Sequence, residues 1–300
     1  MSWFDRLIVT TLPFVPRPLV GRFSRPYIAG ATLDDAVRCV AGLNAGGLMA
    51  TIDVLGEFIT RPEEARRTAQ DYEAVLAALD RHRLDGNISI KLTAIGLKLD
   101  KGLCFDLVSG LVAAARARGR FVRIDMEDSS CTDPTLEIYL ALRRAGLENA
   151  GVVLQACLRR TEDDARRLAA MGANIRLCKG IYIEPPAISY RDPEAIRQNY
   201  GRILEILLRG GSYVGIATHD ERLVRHAFGL IRELGLTRDQ YEFQMLLGVT
   251  PGLRQRIVAA GHRLRVYVPF GEEWYAYSVR RLKENPQIAG HVLRGLLRRS

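Results

Sequence analysis

No stretch of this sequence holds the ~18 consecutive apolar residues that a transmembrane helix needs, so none is expected. Asp5 and Arg6 interrupt the apolar N-terminus and no small-residue cleavage site follows them, which argues against a signal peptide. The five cysteines are odd in number and include no Cys-x-x-Cys pair. We therefore expect a cytoplasmic, reducing setting, with neither a metal site nor a disulfide framework.

Signals for nucleic acid and for a dinucleotide are missing as well. No basic run carries interleaved aromatic residues that would stack on bases, and no helix-turn-helix or zinc-finger spacing occurs, so nucleic acid is not an expected partner. No G-x-G-x-x-G follows a β-rich run, which leaves a Rossmann site unsupported. For the net charge of +9, an anionic ligand, an anionic membrane surface and genome composition are all open explanations.

A regular alternation of short β-rich runs and helical patterns fills most of the chain. The β-rich runs cover residues 48–52, 88–92, 121–125, 151–156, 175–178, 213–217, 242–246 and 264–268. The helical patterns cover residues 62–83, 103–118, 134–145, 162–171, 193–209, 221–234, 251–260 and 274–284. Such alternation implies parallel strands, and eight units match a (β/α)₈ TIM-like barrel; a doubly wound open sheet is the alternative.

No composition shift divides the chain, so we predict a single domain with two parts. An N-terminal helical segment covers residues 1–47, and the barrel covers residues 48–300. In the first part, Thr32 is predicted to cap a helix over residues 32–41, with Asp35 completing the cap. Three later helices are expected to begin at a capping residue followed by proline, at Asp133-Pro134, Asp192-Pro193 and Thr250-Pro251.

Polar residues recur where the predicted strands end, which is the catalytic face of a (β/α)₈ barrel. They are Ser89, Lys91, Thr93, Asp125, Glu127, Gln155, Arg176, Lys179, Thr218, His219 and Gln244. Each has an ordinary alternative: a lone histidine is usually structural, and a strand lysine can mark a sheet edge. A charge inside an apolar strand costs several kcal/mol if it is buried unpaired, so one shared polar cavity accounts for the whole set.

The last predicted helix carries the adjacent residues Arg280 and Arg281, after a strand that ends near Tyr267. A guanidinium pair suits a carboxylate or phosphate, and a solvated basic helix is the ordinary alternative. With Lys91 and Arg176, this pair makes four basic groups against one prominent carboxylate, Asp125, which favours a zwitterionic ligand such as an amino acid. The same strand ends leave room for a second anionic ligand, such as a nucleotide cofactor.

These strand ends resemble those of the proline dehydrogenase family, in its monofunctional bacterial form. The matching segments, in order along the chain, are SIKLT (89–93), VRIDMEDS (122–129), VLQA (153–156) with RTED (160–163), RLCKGIY (176–182), ATHD (217–220), FQML (243–246) and YVPFG (267–271), followed by Arg280, Arg281 and Glu284. They cover the chain from about residue 48 to 286. The resemblance implies a distorted barrel whose last helix lies over the active site.

The resemblance also implies an activity and a role for each matched residue. The expected reaction is FAD-dependent oxidation of L-proline to Δ1-pyrroline-5-carboxylate, with electrons passed to a quinone. The expected substrate-binding and catalytic residues are Lys91, Asp125, Tyr182, Leu246, Tyr267, Arg280 and Arg281. The expected FAD-binding residues are Asp125, Gln155, Arg176, Cys178, Lys179, Gly180, Thr218, His219 and Glu284.

One matched segment departs from the family pattern. Ile181 stands where the family usually has alanine, beside the substrate, so a bulkier side chain is expected to crowd the pocket. Tyr267 favours proline over 4-hydroxyproline, because a hydroxyl would press on its ring. Because Ile181 changes the pocket, oxidation of a related cyclic amino acid such as hydroxyproline is the alternative activity.

Two further hypotheses come from other classes. The chain could be a different barrel enzyme that uses Lys91 or Lys179 as a Schiff-base lysine, or a non-catalytic basic protein that binds a membrane or nucleic acid. The basic, amphipathic tail at residues 291–300 permits peripheral contact with the inner face of the cell membrane, and a frayed terminal helix is equally open.

Overall fold

The computed structural model describes residues 25–56, 59–275 and 277–278, and it shows a closed barrel of eight parallel strands. The strands are β1 (Met49–Val54), β2 (Gly86–Ile90), β3 (Val122–Ile124), β4 (Ala150–Gln155), β5 (Ile175–Cys178), β6 (Val214–Ala217), β7 (Tyr241–Leu246) and β8 (Leu264–Phe270). The helices are α1 (Leu33–Ala45), α2 (Pro62–Arg81), α3 (Lys101–Ala117), α4 (Ser129–Arg144), α5 (Thr161–Ala169), α6 (Pro193–Arg209), α7 (Glu221–Glu233) and α8 (Pro251–Ala259). The predicted (β/α)₈ fold is confirmed, and the open-sheet alternative is wrong.

Each strand pairs with its neighbour in the chain, and β1 pairs with β8 to close the barrel. The closing pair is in register from Met49 opposite Arg265 to Val54 opposite Phe270. Side chains alternate along each strand, so the apolar residues Ile88 and Ile90 of β2 pack outward against the helices. The intervening positions point into the barrel, and several of them are charged.

Helix α1 packs against both β1 and β8, the two strands that close the barrel. Its Ala36 and Val40 side chains are fully buried in the same apolar cluster as the strands. The predicted cap is present: the Asp35 backbone N–H donates to Thr32 Oγ1 over 3.2 Å, and the Thr32 N–H donates to Asp35 Oδ2 over 3.0 Å. The predicted division at residue 47 stays a prediction.

One predicted helix start and one predicted cap need correction. Helix α4 begins at Ser129 rather than at Pro134, because Asp128 caps it by accepting the Ser130 N–H over 2.9 Å. Pro134 lies inside this helix, so the chain ahead of it supplies the real cap. Thr250 precedes α8 with a φ of +41°, and its side chain accepts no capping hydrogen bond. Asp192, in contrast, caps α6 by accepting the Ala195 N–H over 2.8 Å.

The C-terminal part of the chain is described only in part. Trp274, Tyr275, Tyr277 and Ser278 are helical, as predicted. The rest of the predicted helix at 274–284, including its place over the active site, lies outside the described residues. Within the described residues, no helix has both the length and the apolar character needed to cross a membrane.

Candidate active site

A cavity of about 1000 Å³ opens at the C-terminal ends of the strands. Most of the residues that the sequence singles out line it, namely Lys91, Asp125, Arg176, Cys178, Lys179, Gly180, Ile181, Tyr182, Thr218, His219, Leu246 and Tyr267. Gln155 is buried beneath this lining, where its Nε2 donates to the Glu127 backbone oxygen over 2.6 Å. The predicted Arg280, Arg281 and Glu284 lie outside the described residues.

Asp125 sits at the centre of a hydrogen-bonded cluster. Its Oδ1 accepts from Ser89 Oγ over 2.7 Å and from Arg176 Nη1 over 2.5 Å, and its Oδ2 accepts from the Tyr267 hydroxyl over 2.9 Å. Burial and the nearby carboxylates of Asp125 and Asp53 raise the pKa of Tyr267 well above its usual value. Tyr267 is therefore a neutral donor, and its ring lies 5.4 Å from the Arg176 guanidinium carbon.

Lys91 pairs with Asp53, an acid that sequence reasoning missed. Its Nζ lies 2.7 Å from both carboxylate oxygens of Asp53, which is 0% exposed. The Tyr72 hydroxyl lies 3.3 Å from the same carboxylate. Burial raises the pKa of Asp53, although the Lys91 ammonium opposes this. The available signal was an acid in an apolar run, one residue beyond the predicted end of β1.

A series of hydrogen-bonded, buried side chains holds Arg176 in place. Arg176 Nε donates to Gln244 Oε1 over 2.5 Å, and Gln244 Nε2 donates to Glu242 Oε1 over 2.6 Å. Glu242 pairs in turn with Arg265 over 2.7 Å. Burial favours the neutral acid, but the Arg265 cation and the hydrogen bonds outweigh it and lower the pKa of Glu242. Because Glu242 is an anion, the amide of Gln244 must turn its oxygen towards Arg176.

The absence of a side chain at Gly215 makes room for Gln244 in this series. A Cβ at Gly215 would lie 2.4 Å from Gln244 Nε2, closer than any side chain tolerates. Arg176 retains further hydrogen-bonding capacity: within the described part of the chain, its Nη2 donates to no protein atom. Since Arg176 also lines the cavity, this nitrogen is available to an acceptor on a ligand.

The side of the cavity formed by β5 and β6 carries a second charged group. Lys179 Nζ and Arg197 Nε both bind Asp220 Oδ2, over 2.6 and 2.7 Å. His219 Nε2 accepts the Leu246 backbone N–H over 2.9 Å, which requires that this nitrogen carry no proton. His219 is therefore assigned as neutral, with its proton on Nδ1.

Gly180 and Cys178 are constrained by their surroundings. Gly180 has a φ of +94°, and a Cβ there would lie 2.2 Å from Cys157 Sγ, so only glycine fits. Burial raises the pKa of Cys178 to about 12, which keeps it a thiol rather than a nucleophilic thiolate. Cys178 thus contributes bulk and backbone groups to the cavity wall. No group of three or more His, Cys, Asp or Glu residues that could hold a metal ion occurs among the described residues.

Comparison with known proteins agrees with this architecture. A family model described as proline dehydrogenase matches residues 36–294. Proline dehydrogenase 1 of Bacillus subtilis subsp. natto is 36% identical over 276 residues, which cover 92% of this chain and 91% of that protein. Proline dehydrogenase of Deinococcus radiodurans is also 36% identical, with 91% of this chain and 89% of that protein covered. The hydroxyproline dehydrogenase of Bos taurus is 28% identical, over 63% of this chain and 47% of that protein.

A solved structure shows the same fold. Proline utilization A from Bdellovibrio bacteriovorus, inactivated by N-propargylglycine, superposes with a TM-score of 0.84 at 24% identity. The match covers 94% of this chain but only 36% of that longer chain. Fold, family model and full-length relatives agree, and the chain belongs to the proline dehydrogenase family.

Proposed function

We propose that this chain oxidises L-proline to Δ1-pyrroline-5-carboxylate with bound FAD and passes the electrons to a quinone. The observation that carries the proposal is the cluster in which Asp125 binds both Arg176 and Tyr267, beside the Lys91–Asp53 pair. In a member of this family, such a cluster offers cations, a carboxylate and an aromatic ring to one small zwitterion. Relatives of this chain that are nearly equal to it in length are named proline dehydrogenase.

Each group has a place in binding proline. We assign the proline carboxylate to Lys91, joined by Arg280 and Arg281, and the ring nitrogen to the neighbourhood of Asp125. Tyr267 and Leu246 line the cavity where they can contact the pyrrolidine ring, and Tyr182 lines its mouth. Oxidation removes a hydride from C5 and a proton from the ring nitrogen. The loss of both converts the C5–N single bond into the C=N bond of the product.

The charges around the nitrogen control its protonation. A ring ammonium has no lone pair to assist the loss of hydride, so the amine must be neutral at that step. Nearby cations such as Lys91 and Arg176 lower the pKa of a bound amine, while Asp125 opposes them. The Lys91–Asp53 contact and the Arg176–Asp125 contact hold these charges in fixed positions, so that little reorganisation accompanies the reaction.

The cavity residues fit FAD on three grounds. The volume of about 1000 Å³ is at the upper end of the range for ligand sites, and its lining is largely apolar. Arg176 has a donor nitrogen with no protein acceptor in the described residues, and Lys179 adds positive charge for a pyrophosphate. When bound, FAD supplies the hydride acceptor. The residues assigned to hold it are Asp125, Gln155, Arg176, Cys178, Lys179, Gly180, Thr218 and His219, with Glu284.

Hydroxyproline is the second candidate substrate. Similarity to a hydroxyproline dehydrogenase supports it, although that match covers less than half of the relative. One feature of the pocket weighs against it: the Tyr267 ring, on which a substrate hydroxyl would press, is held by Asp125. Ile181 lines the cavity and is the departure from the family pattern that keeps hydroxyproline a candidate. A cytoplasmic location and peripheral contact with the membrane that holds the quinone remain predictions.

The deciding experiment is the visible spectrum of the purified protein before and after anaerobic L-proline. We expect a flavin spectrum that bleaches with proline, formation of a product that o-aminobenzaldehyde traps, and recovery of the spectrum on adding a short-chain quinone. Hydroxy-L-proline at the same concentration is the matched control, and we expect it to bleach the flavin far more slowly. A protein that stays colourless after reconstitution with FAD would refute the proposal.

A further inference from the structure

The loop between β5 and α6 forms one lip of the cavity. Its Ile181 and Tyr182 line the mouth, and the neighbouring Ile183 is 95% exposed. Glu184, the next residue, is only 8% exposed. Burial of Ile181 and Ile183 therefore contributes little to the stability of the loop. The buried side chain near them is the Glu184 carboxylate.

Glu184 binds the first residue of α4 with both carboxylate oxygens. Its Oε1 accepts the Ser129 backbone N–H over 2.7 Å, and its Oε2 accepts the Ser129 hydroxyl over 2.6 Å. Backbone N–H groups at a helix N-terminus lack partners within the helix, and the helix dipole favours an anion there. The contact is therefore a strong one, and it fastens the loop to a helix that starts only four residues after Asp125.

The far end of the loop is fastened independently. The Arg159 N–H donates to the Ile188 oxygen over 2.9 Å, and the Tyr190 N–H donates to the Cys157 oxygen over 2.7 Å. Ser189 Oγ donates back to the backbone oxygens of residues 184 and 185, over 3.2 and 3.0 Å. On the near side, β5 ends at Cys178, and the Glu184 side chain ties the following stretch to α4 through its two hydrogen bonds with Ser129.

We propose that Glu184 is a positioning residue: it clamps the loop to α4 and thereby holds Tyr182 and Ile181 over the substrate. This inference rests on the proposed function, because it takes proline to be the molecule beneath Tyr182. Without the clamp, the loop samples conformations in which the mouth is open. Proline then binds only to the closed fraction of the protein. Its apparent affinity is the intrinsic affinity multiplied by that fraction, while turnover of the bound complex changes little.

Three variants of the FAD-loaded protein test the clamp. Glu184→Ala removes both contacts. Glu184→Gln retains both, since the amide oxygen accepts the Ser129 N–H and the amide nitrogen donates to the Ser129 hydroxyl. Ser129→Ala removes the hydroxyl contact alone and serves if Glu184→Ala folds poorly. Glu205→Ala is the control, because Glu205 pairs with Arg209 on the exposed side of α6, away from the loop.

Two readouts separate positioning from a loss of stability. In Glu184→Ala we expect KM for L-proline to rise about tenfold with kcat within about twofold. We also expect hydrogen exchange in segments 126–132 and 180–190 to become about tenfold faster, while exchange in α7 stays unchanged. Glu184→Gln should return both values most of the way to wild type, since it keeps the hydrogen bonds but not the charge. Ser129→Ala should raise KM about threefold, and Glu205→Ala should change neither readout.

The outcomes are decisive in both directions. Faster exchange with an unchanged KM would show a clamp that does not position the substrate, and would overturn the proposal. Unchanged exchange in both segments would do so as well. If the wild-type protein retains flavin but does not oxidise L-proline, the proposed function fails, while the exchange data still decide whether Glu184 holds the loop.

Discussion

Asp53 lies near the C-terminal end of β1 and Lys91 directly follows β2. Their contact shows how a buried charge in the barrel is compensated by an opposite charge. A buried ion that loses its partner costs several kcal/mol, whereas a buried pair replaced as a whole by neutral groups costs little. The same arrangement recurs in Glu242–Arg265 and in Asp125–Arg176. The Lys91–Asp53 and Asp125–Arg176 pairs fix charged groups whose positions the proposed reaction uses, and Glu242–Arg265 acts on Arg176 through Gln244.

A double-mutant cycle tests this reading of the Lys91–Asp53 pair. We expect Asp53→Asn and Lys91→Met each to lower the free energy of unfolding at pH 7 by about 3–5 kcal/mol. The double variant should be more stable than Lys91→Met alone, because it no longer buries the Asp53 carboxylate without its lysine. Urea unfolding monitored by circular dichroism provides the measurement.

The exposed Lys101–Glu137 pair supplies the matched control. Lys101→Met should change the free energy of unfolding by less than about 0.5 kcal/mol. A double variant as unstable as the sum of the two single variants would contradict the pairing argument.

Single residues also show the limit of sequence reasoning. The strand-end residues could be predicted to share one cavity because the fold sends all strand ends to one face. The partners could not be predicted, since Lys91 and Asp53 are 38 positions apart and Ser129 and Glu184 are 55 apart. Nothing local marks Glu184 as a buried residue, because it follows an exposed isoleucine and precedes two prolines in an irregular loop.

At the scale of elements, Asp220 joins three parts of the barrel. Its Oδ2 binds Lys179 after β5 and Arg197 of α6, and its Oδ1 accepts the Arg222 N–H to cap α7. Burial acts to raise the pKa of Asp220, but the hydrogen bonds from Lys179 and Arg197 outweigh it and lower that pKa. The ionised carboxylate is therefore favoured in the folded protein.

This lowered pKa sets a pH dependence for Asp220→Asn, which keeps the helix cap but removes the charge. An acid with a depressed folded pKa stabilises the protein fully above its unfolded pKa of about 3.9, and that contribution falls as pH drops towards the folded value. We expect the variant to lose about 1–2 kcal/mol at pH 7 and progressively less below about pH 4. Urea unfolding at pH 7, 5 and 3.5 measures the difference, and a loss that grows as pH falls would contradict the assignment.

Element boundaries were predictable where one local signal stood alone. Asp192 and Thr32 cap their helices as the sequence indicates. Asp133-Pro134 carries the same signal, yet Asp128 lies only five positions earlier and caps the helix that contains them. The choice between two caps depends on which turn packs against the barrel, and that information is not local.

At the scale of the whole molecule, α1 covers the seam where β1 meets β8. Its Val40 is buried among the strands, and Ile28 ahead of it packs in a small cluster with Leu55 and Tyr277, against which Trp274 also packs. The N-terminal and C-terminal ends of the described chain thus share contacts. We therefore propose that the described N-terminal residues, 25–47, and the barrel unfold as one cooperative unit, although the sequence suggests two parts.

Val40→Ala tests this cooperativity. Removing two buried methyl groups should lower the free energy of unfolding by about 2 kcal/mol, and the whole transition should move without splitting. Circular dichroism follows all helices, while Trp274 fluorescence in a Trp3→Phe background follows the C-terminal end, since the chain has two tryptophans.

Val258→Ala on the exposed side of α8 makes the same chemical change and should cost less than about 0.5 kcal/mol. If Val40→Ala instead gave an early loss of helix with Trp274 fluorescence unchanged, α1 would be a separate unit, because a shared core cannot lose one wall and keep the contacts that depend on it.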